Sequence, residues 1–390
     1  MTYKILSLDG GGMRGVISAQ ILKEIEETVG QPLHEYFDLI AGTSTGSILA
    51  AGIACGMSAD DLIDFYQTEG KNIFLKSVRR QRKFRLIPQF FGNIKFLKNI
   101  PILGKNPLYP HKKGKDKGLA NILEKKLELR NNEGKVVNDF PTMADIKKTQ
   151  LLILAYDVLF RNTTWFANDD STEWWYDKTK LWEICTASAS APTFFPPYPL
   201  KRLNKENKKE LIPHIDGGVS ANNPTVAAIA HALCMEDDKK PKKIEDIAVL
   251  SIGTGQTTHP YTYKQIKNWG LLNWVENIPN IFLDPSAENS GHISKRIFLG
   301  IKPQNYLRLN FELNKYPQGK NEYIGRKIKE DIDNPDTCND LIEGAKGYLD
   351  RGDVEYDRKK MKVKRAIEEF FNNVPVEEND NLGKKQLAEV

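Results

Sequence analysis

The chain has 390 residues, 40% hydrophobic and 27% charged, the balance of a globular protein with room for a large core. Its four cysteines, Cys55, Cys185, Cys234 and Cys338, are scattered without a C-x-x-C pair, which argues against a disulfide framework or a zinc site and suits a reducing compartment. Net charge is +5, yet residues 71–117 alone hold fourteen Lys or Arg against one acid, Asp116, so the remainder is net negative and the asymmetry bears on partners rather than fold.

Met1-Thr2 leads straight into Tyr3–Leu8, an apolar, β-favouring run read as a buried strand. No charged n-region with an apolar h-region precedes it, and no run of about 18 apolar residues occurs. A cytoplasmic chain, at most peripheral at the inner face of a membrane, is the expectation. The loop Asp9-Gly10-Gly11-Gly12-Met13-Arg14-Gly15 follows. Val16, Ile17, Ala19, Ile21, Leu22 and Ile25 then fall at helical spacing.

The run from Phe37 predicts a second buried strand reaching Gly42, and Ile48 to Ala54 a buried helix. Between them lies G-x-S-x-G: Gly42, Ser44 and Gly46. A serine in a sharp strand-to-helix turn has its hydroxyl thrust clear of the backbone, and flanking glycines make room for the turn. The bland alternative is a small-residue loop that happens to contain a serine.

Farther on, Ser58-Ala59-Asp60-Asp61 has the form of a capping box. Gly118–Leu129 reads as a helix, Leu151–Val158 as a strand and Leu181–Ser190 as a helix. Leu211–Ile215 is a short strand running into Asp216-Gly217-Gly218. Asn223 caps a helix with Pro224 in its first turn. Ile247–Ile252 is a buried strand, and Asp357–Phe371 a terminal helix before a charged tail. Apolar strands alternating with helices predict an α/β fold, a mostly parallel central sheet covered on both faces.

Gly10-x-Gly12-x-x-Gly15 also fits a dinucleotide fingerprint, but the second strand ends in Gly42-Thr43-Ser44 without the carboxylate that ribose hydroxyls need. What remains is a row of backbone N–H groups at a helix N-terminus, suited to an oxyanion. A serine nucleophile needs a base. His34 lies at the wrong end of its strand, His231 inside a helix and His111 in the basic segment. His259 and His292 fall in irregular stretches and stay open. His214 is nearest in kind, but Asp216 stands better placed, at a strand end where sites in such sheets collect. Its plainer reading is a turn aspartate serving local N–H groups.

The glycine loop, Gly42–Gly46 and Asp216-Gly217-Gly218 together resemble the patatin-like phospholipase family, in its bacterial-type form. Ala189–Phe195, Ala221–Pro224 and Ser251–Gly255 agree, so the likeness runs from about Lys4 to Leu309. The resemblance implies a patatin-like three-layer α/β/α fold and a lipid acyl hydrolase of the phospholipase A kind. It implies Ser44 as nucleophile, Asp216 as general base, and Gly10, Gly11 and Gly12 as the oxyanion hole. Arg14, Gly15, Gly42, Gly46, Gly217 and Gly218 would support the site, with no metal or cofactor. A catalytic domain over 1–355 and a terminal helix with tail over 356–390 are expected.

The basic segment is longer and more basic than the resemblance implies. Arg79, Arg80, Arg82, Lys83 and Arg85, followed by Phe90 and Phe91, suit a surface or lid docked on anionic lipid; an ordinary cap is the alternative. Nucleic acid is not an expected partner. Two rival functions stand beside the lipid hydrolase: a thioesterase or short-chain esterase, and a binding, storage or effector protein silent until a small molecule arrives.

Overall fold

Alternation along the buried strands sets the architecture. In β1 (Tyr3–Leu8), Leu6 and Leu8 enter one core and Ile5 a second. β2 (Leu39–Thr43) divides Ile40 from Leu39 and Ala41 in the same way, and β3 (Gln150–Asp157) divides Leu151 and Ile153 from Leu152 and Leu154. A strand apolar on both faces requires cover on both. The computed structural model describes residues 2–85, 108–169, 174–203, 208–237, 240–241, 243–257 and 260–374.

β4 (Asn162–Ala167), β5 (Tyr198–Leu203), β6 (Lys209–Asp216), β7 (Ile247–Ile252) and β8 (Tyr306–Leu309) complete an eight-stranded sheet in the order β8-β7-β1-β2-β3-β6-β5, with β4 paired to β3. β8, β7, β1, β2 and β3 run parallel, while β4, β5 and β6 join antiparallel. The mostly parallel sheet expected from the sequence is present, and the C-terminal ends of β1, β2 and β7 share one edge.

One face is covered by α1 (Gly15–Val29), α2 (Thr45–Ala54), α3 (Ala59–Ile73), α5 (Leu119–Lys126) and α6 (Leu181–Ser188), with α4 (Lys76–Arg85) following α3 in the chain. α7 (Thr225–Cys234) and α8 (Leu271–Ile301) lie against the other face. The Ser58–Asp61 capping box forms as the spacing predicts. Asn223 caps α7 in function, its Oδ1 accepting from the Thr225 N–H at 2.9 Å. Among the described residues no helix is long and apolar enough to cross a membrane.

The C-terminal expectation needs correction. After α9 (Cys338–Arg351), Asp353–Tyr356 and Lys359–Lys362 form an antiparallel hairpin, and the terminal helix α10 begins only at Val363. Asp357 and Arg358 both have positive φ, 46° and 61°, the turn that matches strand twist in a two-residue hairpin. A boundary at 355/356 would cut this hairpin. α10 also packs into the core, where Phe371 meets Tyr36 edge-on at 5.3 Å.

Candidate active site

β2 ends at Thr43 and α2 begins at Thr45, so the whole reversal falls on Ser44, which adopts φ 55° and ψ −124°. That backbone costs an L-residue of order 1–3 kcal/mol. Neighbouring groups hold it: the Ser47 N–H and hydroxyl donate to the Ser44 carbonyl at 2.9 and 2.6 Å. The Ser44 N–H donates to Ser188 Oγ at 2.9 Å. The glycines are steric necessities, because a Cβ at Gly46 would lie 2.1 Å from the Leu8 carbonyl oxygen and one at Gly42 2.2 Å from that of Gly46.

Asp216 reaches Ser44 by strand register. β4 runs along one edge of β3, from Leu152 to Asp157. β2 occupies the other edge as far as the Thr43–Leu154 pair, and β6 takes that edge up at the next residue, where Ala155 pairs with Asp216. The Ser44 hydroxyl therefore meets the carboxylate and donates to Oδ2 at 2.6 Å, while the Gly218 N–H donates to Oδ1 at 2.7 Å. Gly217 is needed at this junction, since a Cβ there would lie 2.2 Å from the Leu154 carbonyl oxygen. Burial raises the Asp216 pKa to about 6, outweighing the hydrogen bonds from Ser44 and Gly218 that lower it.

The glycine loop divides. Gly10 is not free to serve an oxyanion, because its N–H donates to the Asn222 carbonyl at 3.0 Å. Its carbonyl accepts from Thr254 Oγ1 at 2.8 Å. Gly11 and Gly12 instead line a cavity together with Ser44 and Asp216. Gly12 has φ 57°, and a Cβ there would lie 2.3 Å from the Ile332 carbonyl oxygen. Arg14 is buried with Nη2 3.0 Å from Asp284 Oδ1, and Gly15 leaves space for the Tyr66 hydroxyl, which hydrogen-bonds Thr45.

This cavity, about 50 Å³, is walled mainly by apolar side chains, among them Ile48, Phe65, Phe74, Phe194 and Phe195. A second, more polar cavity of about 230 Å³ is lined by Glu288, His292, Lys295, Arg308 and Asn310. Among the described residues, no cluster of three His, Cys, Asp or Glu is placed to hold a metal.

The described histidines serve elsewhere. His214 is buried, its Nδ1 at 3.0 Å from the Ile212 carbonyl and its Nε2 at 3.1 Å from the Thr164 hydroxyl; burial lowers its pKa. His111 Nε2 lies 2.8 Å from the Pro196 carbonyl oxygen, His34 Nε2 lies beside Lys148, His231 sits in α7, and His292 borders the second cavity. His259 lies outside the described residues.

The docking arginines also read differently. Arg79 pairs with Asp336 at 2.6 Å, and Arg82 lies 4.3 Å over the Phe194 ring and donates to the Thr193 carbonyl. Both guanidiniums face protein partners; Arg80 is exposed. The side chains of Lys83 and Arg85, together with Phe90 and Phe91, lie outside the described residues.

Set beside known proteins, residues 6–229 match the family described as Patatin-like phospholipase. The chain belongs to this family. Patatin-like protein 1 of Arabidopsis thaliana is 32% identical over 337 residues, covering 78% of this chain and 73% of that protein. Probable inactive patatin-3-Kuras 1 of Solanum tuberosum is 26% identical over 331 residues, covering 78% and 77%. The crystal structure of VipD from Legionella pneumophila overlays with a TM-score of 0.35 at 12% identity, covering 88% of this chain and 67% of that one; so loose an overlay carries no argument. Membership of the patatin-like phospholipases assigns a lipid acyl hydrolase in general terms. Because one relative bears the word inactive, the activity of this chain rests on its own residues.

Sequence reasoning missed Ser188, Thr254 and Arg308. Ser188 joins the Ser44 N–H to the Leu154 carbonyl, donating to the latter at 2.7 Å. Thr254 stands in the Ser251–Gly255 run, which carried the resemblance without a role. Arg308, whose Nη1 and Nη2 lie 2.9 and 2.5 Å from the Asp9 carboxylate, had no local signal at all.

Proposed function

We propose that this patatin-like protein cleaves ester bonds of membrane glycerophospholipids or related glycerolipids in the manner of a phospholipase A, through a Ser44–Asp216 dyad. The observation that carries this reading is the 2.6 Å bond from the Ser44 hydroxyl to a buried carboxylate beside an apolar cavity. As Ser44 Oγ attacks the ester carbonyl, Asp216 Oδ2 takes its proton. The carbonyl electron pair moves to oxygen, and the Gly11 and Gly12 amides face that oxyanion, each worth about 3 kcal/mol of barrier. Collapse expels the alcohol, which takes the proton back from Asp216 and leaves acyl-Ser44. Water, deprotonated by the same aspartate, attacks the acyl carbon and releases a fatty acid with Ser44 restored. The dyad leaves the histidines without a role in the reaction.

The apolar walls favour an acyl chain, and the charge of residues 71–117 supports peripheral binding to an anionic bilayer, with Arg80 rather than Arg79 or Arg82 as the contact. A fluorophosphonate probe tests the nucleophile. It should label wild type and leave Ser44→Ala unlabelled; equal labelling of both, or none of either, contradicts the reading, and none favours a binding role.

A second reading is a short-chain esterase or thioesterase. The small cavity favours it, since about 50 Å³ is well below the roughly 300 Å³ of an ordinary ligand cleft. A higher rate on monomeric than on micellar esters would select it.

A further inference from the structure

The carboxylate of Asp9, at the point where β1 becomes the glycine loop, is almost fully buried. A buried carboxylate is costly unless a charge partner meets it. The partner is Arg308 of β8, 299 positions away, with Nη1 2.9 Å from Oδ1 and Nη2 2.5 Å from Oδ2. Register explains the reach. Ser7, Ser251 and Arg308 form one row across β1, β7 and β8, and Asp9 lies two residues beyond Ser7 on the same face. Arg308 Nη1 also donates to Ser251 Oγ at 2.8 Å, and Thr225 Oγ1 links Ser251 and Ser7 at 2.9 and 2.8 Å.

The neighbouring residue, Gly10, is gripped by Asn222 and Thr254, and the Asp9 N–H donates to the Ile252 carbonyl at 3.1 Å, so the Asp9 carboxylate adds a side-chain anchor to these bonds at the strand end of the loop. We propose that Arg308 is a positioning residue: by clamping Asp9 it sets where Gly11 and Gly12 present their amides to the reacting ester. The pairing has an electrostatic side as well. A bare carboxylate next to the loop would oppose a developing oxyanion; burial is the main cause that raises the Asp9 pKa, and Glu288 and Asp284 of α8 add to it by their charge. Arg308 is the cation that meets the Asp9 carboxylate itself, while Arg14 meets Asp284.

Arg308 borders the 230 Å³ cavity, so a small cation can enter the space its side chain would vacate. The inference rests on the ester-hydrolase reading, and the test separates the two. Steady-state ester hydrolysis is measured for wild type, Ser44→Ala, Arg308→Ala, Arg308→Lys and Asp9→Asn/Arg308→Ala, with and without millimolar guanidinium, alongside thermal melts. Arg308→Ala should lose about a hundredfold in kcat with KM within about twofold, the size of effect expected when catalytic groups are misplaced. Guanidinium should restore at least about tenfold of that loss in Arg308→Ala, and none in the double variant, which lacks the carboxylate that would bind it. Arg308→Lys should be intermediate, and it carries the test if Arg308→Ala does not fold.

Wild-type kcat in Arg308→Lys and Arg308→Ala, or a loss that guanidinium leaves untouched, overturns the positioning role alone. Turnover by wild type that persists in Ser44→Ala, or no turnover at all, overturns the hydrolase reading and this proposal with it.

Discussion

The Gly218 N–H donates to Asp216 Oδ1 at 2.7 Å, and that backbone bond fixes the carboxylate so that Oδ2 faces Ser44. The aspartate is held in place by its own chain two residues on. It needs no third residue to orient it, unlike a histidine base that depends on a partner carboxylate.

The pH dependence follows from the burial of Asp216. As the proposed proton acceptor, Asp216 works only when deprotonated, and burial raises its pKa to about 6. kcat/KM should be flat above that value and fall about tenfold per pH unit below it. His214→Gln should leave this acid limb where it is. A limb that moves with His214 contradicts an aspartate base.

Stability should move the opposite way. The folded-state pKa of Asp216 lies above its ordinary value of 3.8, so the folded protein binds this proton more tightly than the unfolded chain between about pH 4 and pH 6, and stability falls as pH rises through that window. At pH 7 the penalty is complete, of order 1–3 kcal/mol. Asp216→Asn should therefore be inactive and yet more stable than wild type by about that amount at pH 7, the gain vanishing near pH 4. Urea denaturation at the two pH values checks this; a variant less stable than wild type at pH 7 contradicts it.

Ser188 bridges the Ser44 N–H and the Leu154 carbonyl, both buried. Ser188→Ala strands the donor that supports the strained turn, at a cost of about 1–3 kcal/mol in unfolding free energy. Its kcat should drop with KM little changed. Full activity and unchanged stability would show that Ser44 keeps its conformation without this bond.

The two kinds of arginine in α4 should separate cleanly. Arg79 and Arg82 bind protein groups, so Gln at either position should lower stability by about 1 kcal/mol and leave affinity for anionic vesicles unchanged. Arg80→Gln should do the reverse, weakening vesicle co-sedimentation without altering the melting temperature. Equal loss of vesicle binding in all three variants contradicts the inward orientation.

Much of the fold was legible because β1, β2 and β7 are apolar on both faces and run into glycine-rich turns. Ser44 stood out in the same way, at the end of β2 between two glycines, whereas Asp216 ends an antiparallel strand and drew attention through the Gly217-Gly218 that follows it and through the family resemblance. What the chain could not disclose was pairing across distance. Nothing near Arg308 points to Asp9, and nothing near Thr254 points to Gly10, because those contacts are made by strand register. The Gly10 amide looked like an oxyanion donor for the same reason; its engagement with Asn222 is a tertiary fact. Arg79 and Arg82 read as surface charge because a basic run carries no sign of the carboxylates and rings that meet it. The Asp357-Arg358 turn was missed because Asp357 is followed by arginine and not by the glycine that usually marks such a two-residue turn.

The most direct test is fatty acid release from phospholipid vesicles by wild type beside Ser44→Ala and Asp216→Asn, each shown to be folded by circular dichroism. The dyad predicts release by wild type alone, with each variant at least about a thousandfold slower. Release that survives in either variant at a comparable rate would contradict it.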